Sequence, residues 1–106
     1  MSEKMPKFFE EFRAAHPEVA SHYNALSEAC KKAGPLDERT IEMVKLGIAI
    51  GAAAEGAAHS HARRAKAAGV TDAQLEHVAL LAITTLGFPR AMTGLAWVLD
   101  VTKGGR

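Results

Sequence analysis

Apolar residues recur at helical spacing along almost the whole chain, and no stretch alternates with the two-residue period of a strand. His16-Pro17 predicts a break between a short leading helix and a second one, because proline disfavours helical geometry in its predecessor and suits the first helical turn. The second helix is expected to stop at Gly34-Pro35. Asp37 then reads as the N-cap of a third helix, with Glu38 in its positive first turn and an apolar pattern through Ile41, Val44 and Ile48. The pattern does not define where that helix ends between Gly51 and Gly56.

A segment from Ala57 to Ala68 closes on Gly69, a natural left-handed stop, and Thr71 with Gln74 forms a capping box for the next helix. That helix, Thr71 to Leu86, is apolar on most sides through Leu75, Val78, Leu80, Leu81, Ile83 and Leu86. Gly87-Phe88-Pro89 turns the chain into a final helix bearing Met92, Leu95, Trp97, Val98 and Leu99. The fold class this predicts is all-α, a small bundle of about five to six helices.

Set against this apolar pattern, two polar residues point inward. Glu42 falls in line with Leu46, Ala49 and Ala53, whereas Glu38, Arg39 and Lys45 occupy positions better suited to water. Helical offsets place His61 on one face with Ala54, Ala57, Ala65 and Ala68, so it looks into alanine-lined space, with room beside it at positions 54, 57 and 58. A lone buried carboxylate and a lone buried imidazolium are both costly, and the two are most cheaply reconciled by meeting. Such a pair can hold and pass a proton, and it can equally serve only to tie two helices together.

Glu55, His59, Arg63 and Lys66 share another face on which every member is charged or titratable, so His59 is expected to be solvated. Glu55 and His59, four residues apart, could both reach one metal ion. His61 points about 200 degrees away from His59, so adding it as a third ligand needs distorted backbone or another chain. A solvated helix face with an i,i+4 pair is the reading adopted, and no metal is assigned. Cys30 lies beside Lys31 and Lys32 but near a helix C-terminus, which disfavours a thiolate, so an ordinary, partly buried thiol is expected. Arg90, opening the last helix, is a candidate to grip a substrate carboxylate together with the helix N-terminal amides.

Composition changes the picture mainly through alanine. The hydrophobic share is 48%, yet 21 alanines stand against six aromatic residues, so one domain spanning 1–106 has a thin core. With Cys30 alone no internal disulfide can form, and a homo-oligomer using the two C-terminal helices and the alanine-rich centre is expected to supply the missing burial. Thirteen basic residues against twelve acidic ones give no electrostatic footprint for nucleic acid or an anionic membrane. The opening MSEKMPKFFEEF lacks the apolar core of a secretion signal, and the longest apolar run, Leu46 to Ala54, is too short to span a bilayer. The cytoplasm is the expected compartment.

From Glu42 to Ala91 the sequence resembles the carboxymuconolactone decarboxylase and alkylhydroperoxidase-D-like (AhpD-like) family. Its peroxidase members carry a glutamate, eleven residues, a cysteine, two residues, a second cysteine, three residues and a histidine. Glu42 and His61 stand at the glutamate and histidine positions, while Ala54 and Ala57 stand where the cysteines would be. The continuation through Ala65, Gly69, Val70 and Thr71, and Gly87-Phe88-Pro89-Arg90-Ala91 after the next helix, is also similar to the family. The resemblance implies a small AhpD-like helical bundle that assembles as a trimer or hexamer.

Peroxide reduction needs a thiolate nucleophile and a resolving thiol, so the cysteine-pair activity is not expected. The decarboxylase branch uses a histidine at the His61 position and neither metal nor organic cofactor. The leading expectation is therefore cofactor-independent acid-base chemistry, of decarboxylase or lactone type, on a small carboxylate or lactone. In it His61 moves the proton, Glu42 fixes its tautomer and Arg90 holds a carboxylate. Two alternatives stay open: a non-catalytic oligomeric binding or scaffold protein, and thiol peroxidase activity through Cys30.

Overall fold

The computed structural model describes the backbone of residues 4–104 and the side chains of residues 7–104. Six α-helices make up the described chain: α1 (Lys4–Ala15), α2 (Pro17–Lys32), α3 (Glu38–Gly51), α4 (Glu55–Ala67), α5 (Asp72–Leu86) and α6 (Phe88–Thr102). No strand occurs among the described residues. The chain divides into two compact units, Met1–Leu36 and Asp37–Arg106.

In the first unit α1 and α2 pack on each other and meet at His16, whose non-helical backbone (φ −135°, ψ 66°) lets Pro17 start the second helix. Phe8, Phe9, Val19, Tyr23 and Leu26 are exposed. Cys30 in the last turn of α2 is also exposed, not partly buried as expected, because helical phase turns it outward with Leu26 and Tyr23.

In the second unit each helix has two principal neighbours: α3 packs on α4 and α5, and α6 packs on the same two. The core is mostly alanine, with Leu46, Ile50, Val70, Leu75 and Val98 supplying the larger side chains. Small residues let the backbones approach closely. Gly94 of α6 lies so near Ile50 of α3 that a Cβ there would sit 2.6 Å from Ile50 Cγ2, which makes Gly94 the contact point of that diagonal pair.

The helix ends follow local chemistry. Asp37 accepts from the Thr40 amide at 2.8 Å, and Thr71 and Gln74 make the reciprocal capping box. After α4, Gly69 (φ 100°) takes the left-handed position of a Schellman turn, with Gly69 N–H donating to Lys66 O and Val70 N–H to Ala65 O. The same motif ends α3, but with an alanine: Ala53 (φ 58°) donates to Ile50 O, and Ala54 donates to Ala49 O. This places the end of α3, which the apolar pattern left open.

The apolar stripe of α3 differs from the expected one. Val44 and Ile48 are exposed and Ile41 is half-buried, while Glu42, Leu46, Ala49 and Ile50 face the core. On α5 the core contact runs through Leu75, Ala79 and Ala82, leaving Leu80, Leu81 and Leu86 exposed. Both helices are apolar on two faces, and only one of these faces meets the rest of the unit.

The amide of Thr40 and, secondarily, its side chain hold the Asp37 carboxyl below its ordinary value near 3.8, with Arg39 adding a smaller attraction. A depressed carboxyl stabilises the fold above its unfolded value, and that contribution disappears as pH falls through the folded value. Asp37→Ala should therefore melt at a lower temperature than wild type at neutral pH, and the gap should narrow once pH drops below 3.8. A gap that stays constant through acid, followed by circular dichroism melts, would contradict this assignment.

Candidate functional site

Helix α4 carries both inward histidines, two residues apart and thus about 200 degrees apart around its axis. His61 faces α3, where its Nδ1 lies 2.7 Å from Glu42 Oε1. The Glu42 side chain is 1% exposed and that of His61 17% exposed. With Glu42 as carboxylate, Nδ1–H donates to it, which leaves the Nε2 lone pair to accept a proton from outside the pair. Glu42 reaches this place because it takes an inward position on α3 beside Leu46, one turn on.

The surroundings of His61 differ from the expected alanine face. Ala65 and Ala58 are buried, but Ala54 is the N-cap of α4 and half-buried, and Ala57 is exposed. Ala53, expected in line with Glu42, is instead an exposed residue of the left-handed turn. An open apolar groove of about 740 Å³ lies between α3 and α5, lined among others by Met43, Ile48, Val78 and Leu81. Neither Glu42 nor His61 lines it.

Arg90 is the third residue of α6, half-buried, and makes no hydrogen bond or ion pair among the described residues. No described contact joins it to the Glu42–His61 pair.

His59 is not solvated. Its side chain is 3% exposed, and its Nε2–H donates to Asp100 Oδ2 of α6 at 2.9 Å. The charged neighbours on its helix face lead to the wrong surroundings because its partner lies 41 residues away in sequence. The third group near Glu55 and His59 is therefore Asp100 and not His61. Asp100 could not be placed from its own helix, although one signal for it exists: it is the only acid in α6, following the apolar run Trp97-Val98-Leu99.

Comparison with known proteins places this geometry in context. The family model described as the carboxymuconolactone decarboxylase family matches residues 17–100. The fold is similar to the crystal structure of a carboxymuconolactone decarboxylase family protein from Legionella pneumophila. The TM-score is 0.82 at 22% identity, over 96% of this chain and 90% of that one. No curated protein matches the chain.

The pairing of Glu42 and His61 has a measurable energetic consequence. Glu42→Ala removes the imidazole's partner and leaves a cavity, at a cost of about 2–4 kcal/mol. A double-mutant cycle with His61→Ala in urea should give a coupling of about 0.5–3 kcal/mol. A coupling of zero would mean that the two side chains stabilise the fold independently.

Proposed function

The chain belongs to the carboxymuconolactone decarboxylase family, and on that premise we propose that it performs cofactor-independent acid-base chemistry on a small organic acid. The observation that carries this reading is the 2.7 Å contact between His61 Nδ1 and a Glu42 side chain that is 1% exposed. A buried acceptor on Nδ1 fixes the tautomer, so that Nε2 is the atom that exchanges protons with a bound molecule.

Decarboxylation of a vinylogous keto acid suits such a group. The C–C bond to the carboxylate breaks, CO2 leaves, and the electron pair passes into the conjugated enolate. Nε2–H of the His61 imidazolium then protonates the enolate carbon, and solvent restores the proton to His61. Arg90, in the first turn of α6 with its guanidinium unengaged by described residues, is the group assigned to a second carboxylate or a lactone oxygen. Sulfur chemistry has no part in this reading: Ala54 and Ala57 occupy the cysteine-pair positions, and Cys30 lies outside the motif that runs from Glu42 to His61.

Assembly with further copies belongs to the same proposal. Val44, Ile48, Leu80, Leu81 and Leu86 are large apolar side chains exposed on α3 and α5, the kind of surface that a second copy covers. A trimer or hexamer in the cytoplasm is the form proposed. If these helices make the interface, Ile48→Lys and Leu81→Lys should each lower the mass measured by light scattering. A wild-type monomer, or an assembly indifferent to both substitutions, would refute it.

The chemical reading is tested by screening small carboxylates and lactones for thermal stabilisation. A ligand at 100 times its Kd stabilises by about 2.7 kcal/mol, a shift of roughly 10–20 °C for a domain of this size. Hits should weaken in His61→Ala, Glu42→Gln and Arg90→Ala. Shifts that persist undiminished in all three folded variants would put the ligand elsewhere, and the assigned site would be wrong. A protein that no carboxylate or lactone stabilises would favour the non-catalytic scaffold.

A further inference from the structure

Three side chains with metal-binding chemistry converge where the start of α4 meets the end of α6. Glu55 lies in the first turn of α4, His59 one turn later, and Asp100 in the last turn of α6. Each offers one ligand atom, and these atoms lie within 4.8 Å of one another. We propose that Glu55, His59 and Asp100 form a site for one divalent transition-metal ion of borderline hardness, such as zinc. The site is independent of the Glu42–His61 pair, since His61 turns toward α3.

The donor set is one imidazole nitrogen and two carboxylate oxygens, a combination that suits zinc and its neighbours and leaves a fourth position for water. Tetrahedral coordination at about 2.0–2.2 Å separates ligand atoms by about 3.3–3.6 Å. His59 Nε2 and Asp100 Oδ2 already stand at 2.9 Å, so an ion in place of the shared proton parts them by a few tenths of an ångström. Glu55 is half-buried and makes no hydrogen bond or ion pair among the described residues, so its carboxylate can swing in without losing a partner.

Electrostatics point the same way. Asp100 sits near the C-terminus of α6, the negative end of the helix dipole, with no basic residue in that turn. A second carboxylate close by adds repulsion. A divalent cation offsets both at once, whereas the His59–Asp100 hydrogen bond alone leaves the Glu55 carboxylate without a partner among the described residues. Burial of the His59 side chain to 3% exposure fixes the imidazole, and Asp100 at 30% exposed leaves the ion an approach from solvent.

The test uses the full chain stripped with chelator, dialysed against Zn2+ or Mn2+ and analysed for metal content, with affinity from isothermal titration calorimetry. The expected result is one ion per chain and a raised Tm. Glu55→Gln and Asp100→Asn, which keep side-chain volume, should each weaken binding at least tenfold, and His77→Gln on the exposed face of α5 should leave it unchanged. Bound Co2+ should give visible absorption that is lost in Asp100→Asn, a readout that general destabilisation does not mimic. No ion retained by folded protein, or an affinity that neither carboxylate variant moves, would overturn the site and leave His59–Asp100 as a structural hydrogen bond. Binding that disappears in Glu42→Gln but survives both carboxylate variants would likewise overturn it, by placing the ion against α3.

Discussion

A helix whose inner face is nearly all alanine approaches its neighbours closely but gives them few knobs to grip, so apolar packing alone does little to fix its rotation about its own axis. α4 is such a helix, with Ala58, Ala62 and Ala65 as its buried residues besides His59. Two polar contacts supply what alanine does not: His61 reaches Glu42 on α3, and His59 reaches Asp100 on α6. Because the histidines point nearly opposite ways, a rotation that relaxed one bond would strain the other. Both chemical proposals for the protein depend on this registration, since each needs its imidazole held at one angle.

The same alanine-rich interior explains how apolar surface is distributed in the second unit. Where small side chains fill the centre, helices come together without burying much area, and the larger residues of α3 and α5 are left on the outside. Ile50 and Gly94 mark a close approach, Val44, Ile48 and Leu81 the exposed face.

Features decided by a few neighbouring residues were legible in the sequence. Pro17, Asp37, Thr71 with Gln74, and Gly69 each solve a problem of the helix end within four residues, so their types alone locate the boundaries. Glu42 was legible because an acid on an apolar stripe stands out. Features decided by distant partners were not. Val44 and Ile48 have the same period as a core stripe, and nothing local tells which of two apolar faces is covered. His59 sits among charges on its own helix, while the group that accepts its proton belongs to α6.

The end of α3 was hidden for a different reason: the left-handed residue there is Ala53, and an alanine carries no signal for that conformation. Its methyl group costs about 1–2 kcal/mol in that geometry relative to the right-handed form. The same methyl narrows the range of shapes open to the unfolded chain, which returns part of that cost. Gly51-Ala52-Ala53-Ala54 has the composition of a loose tether, but its amides at Ala52, Ala53 and Ala54 are all bonded back to α3. It acts as a stiff elbow, and the two histidines downstream inherit their placement from its angle.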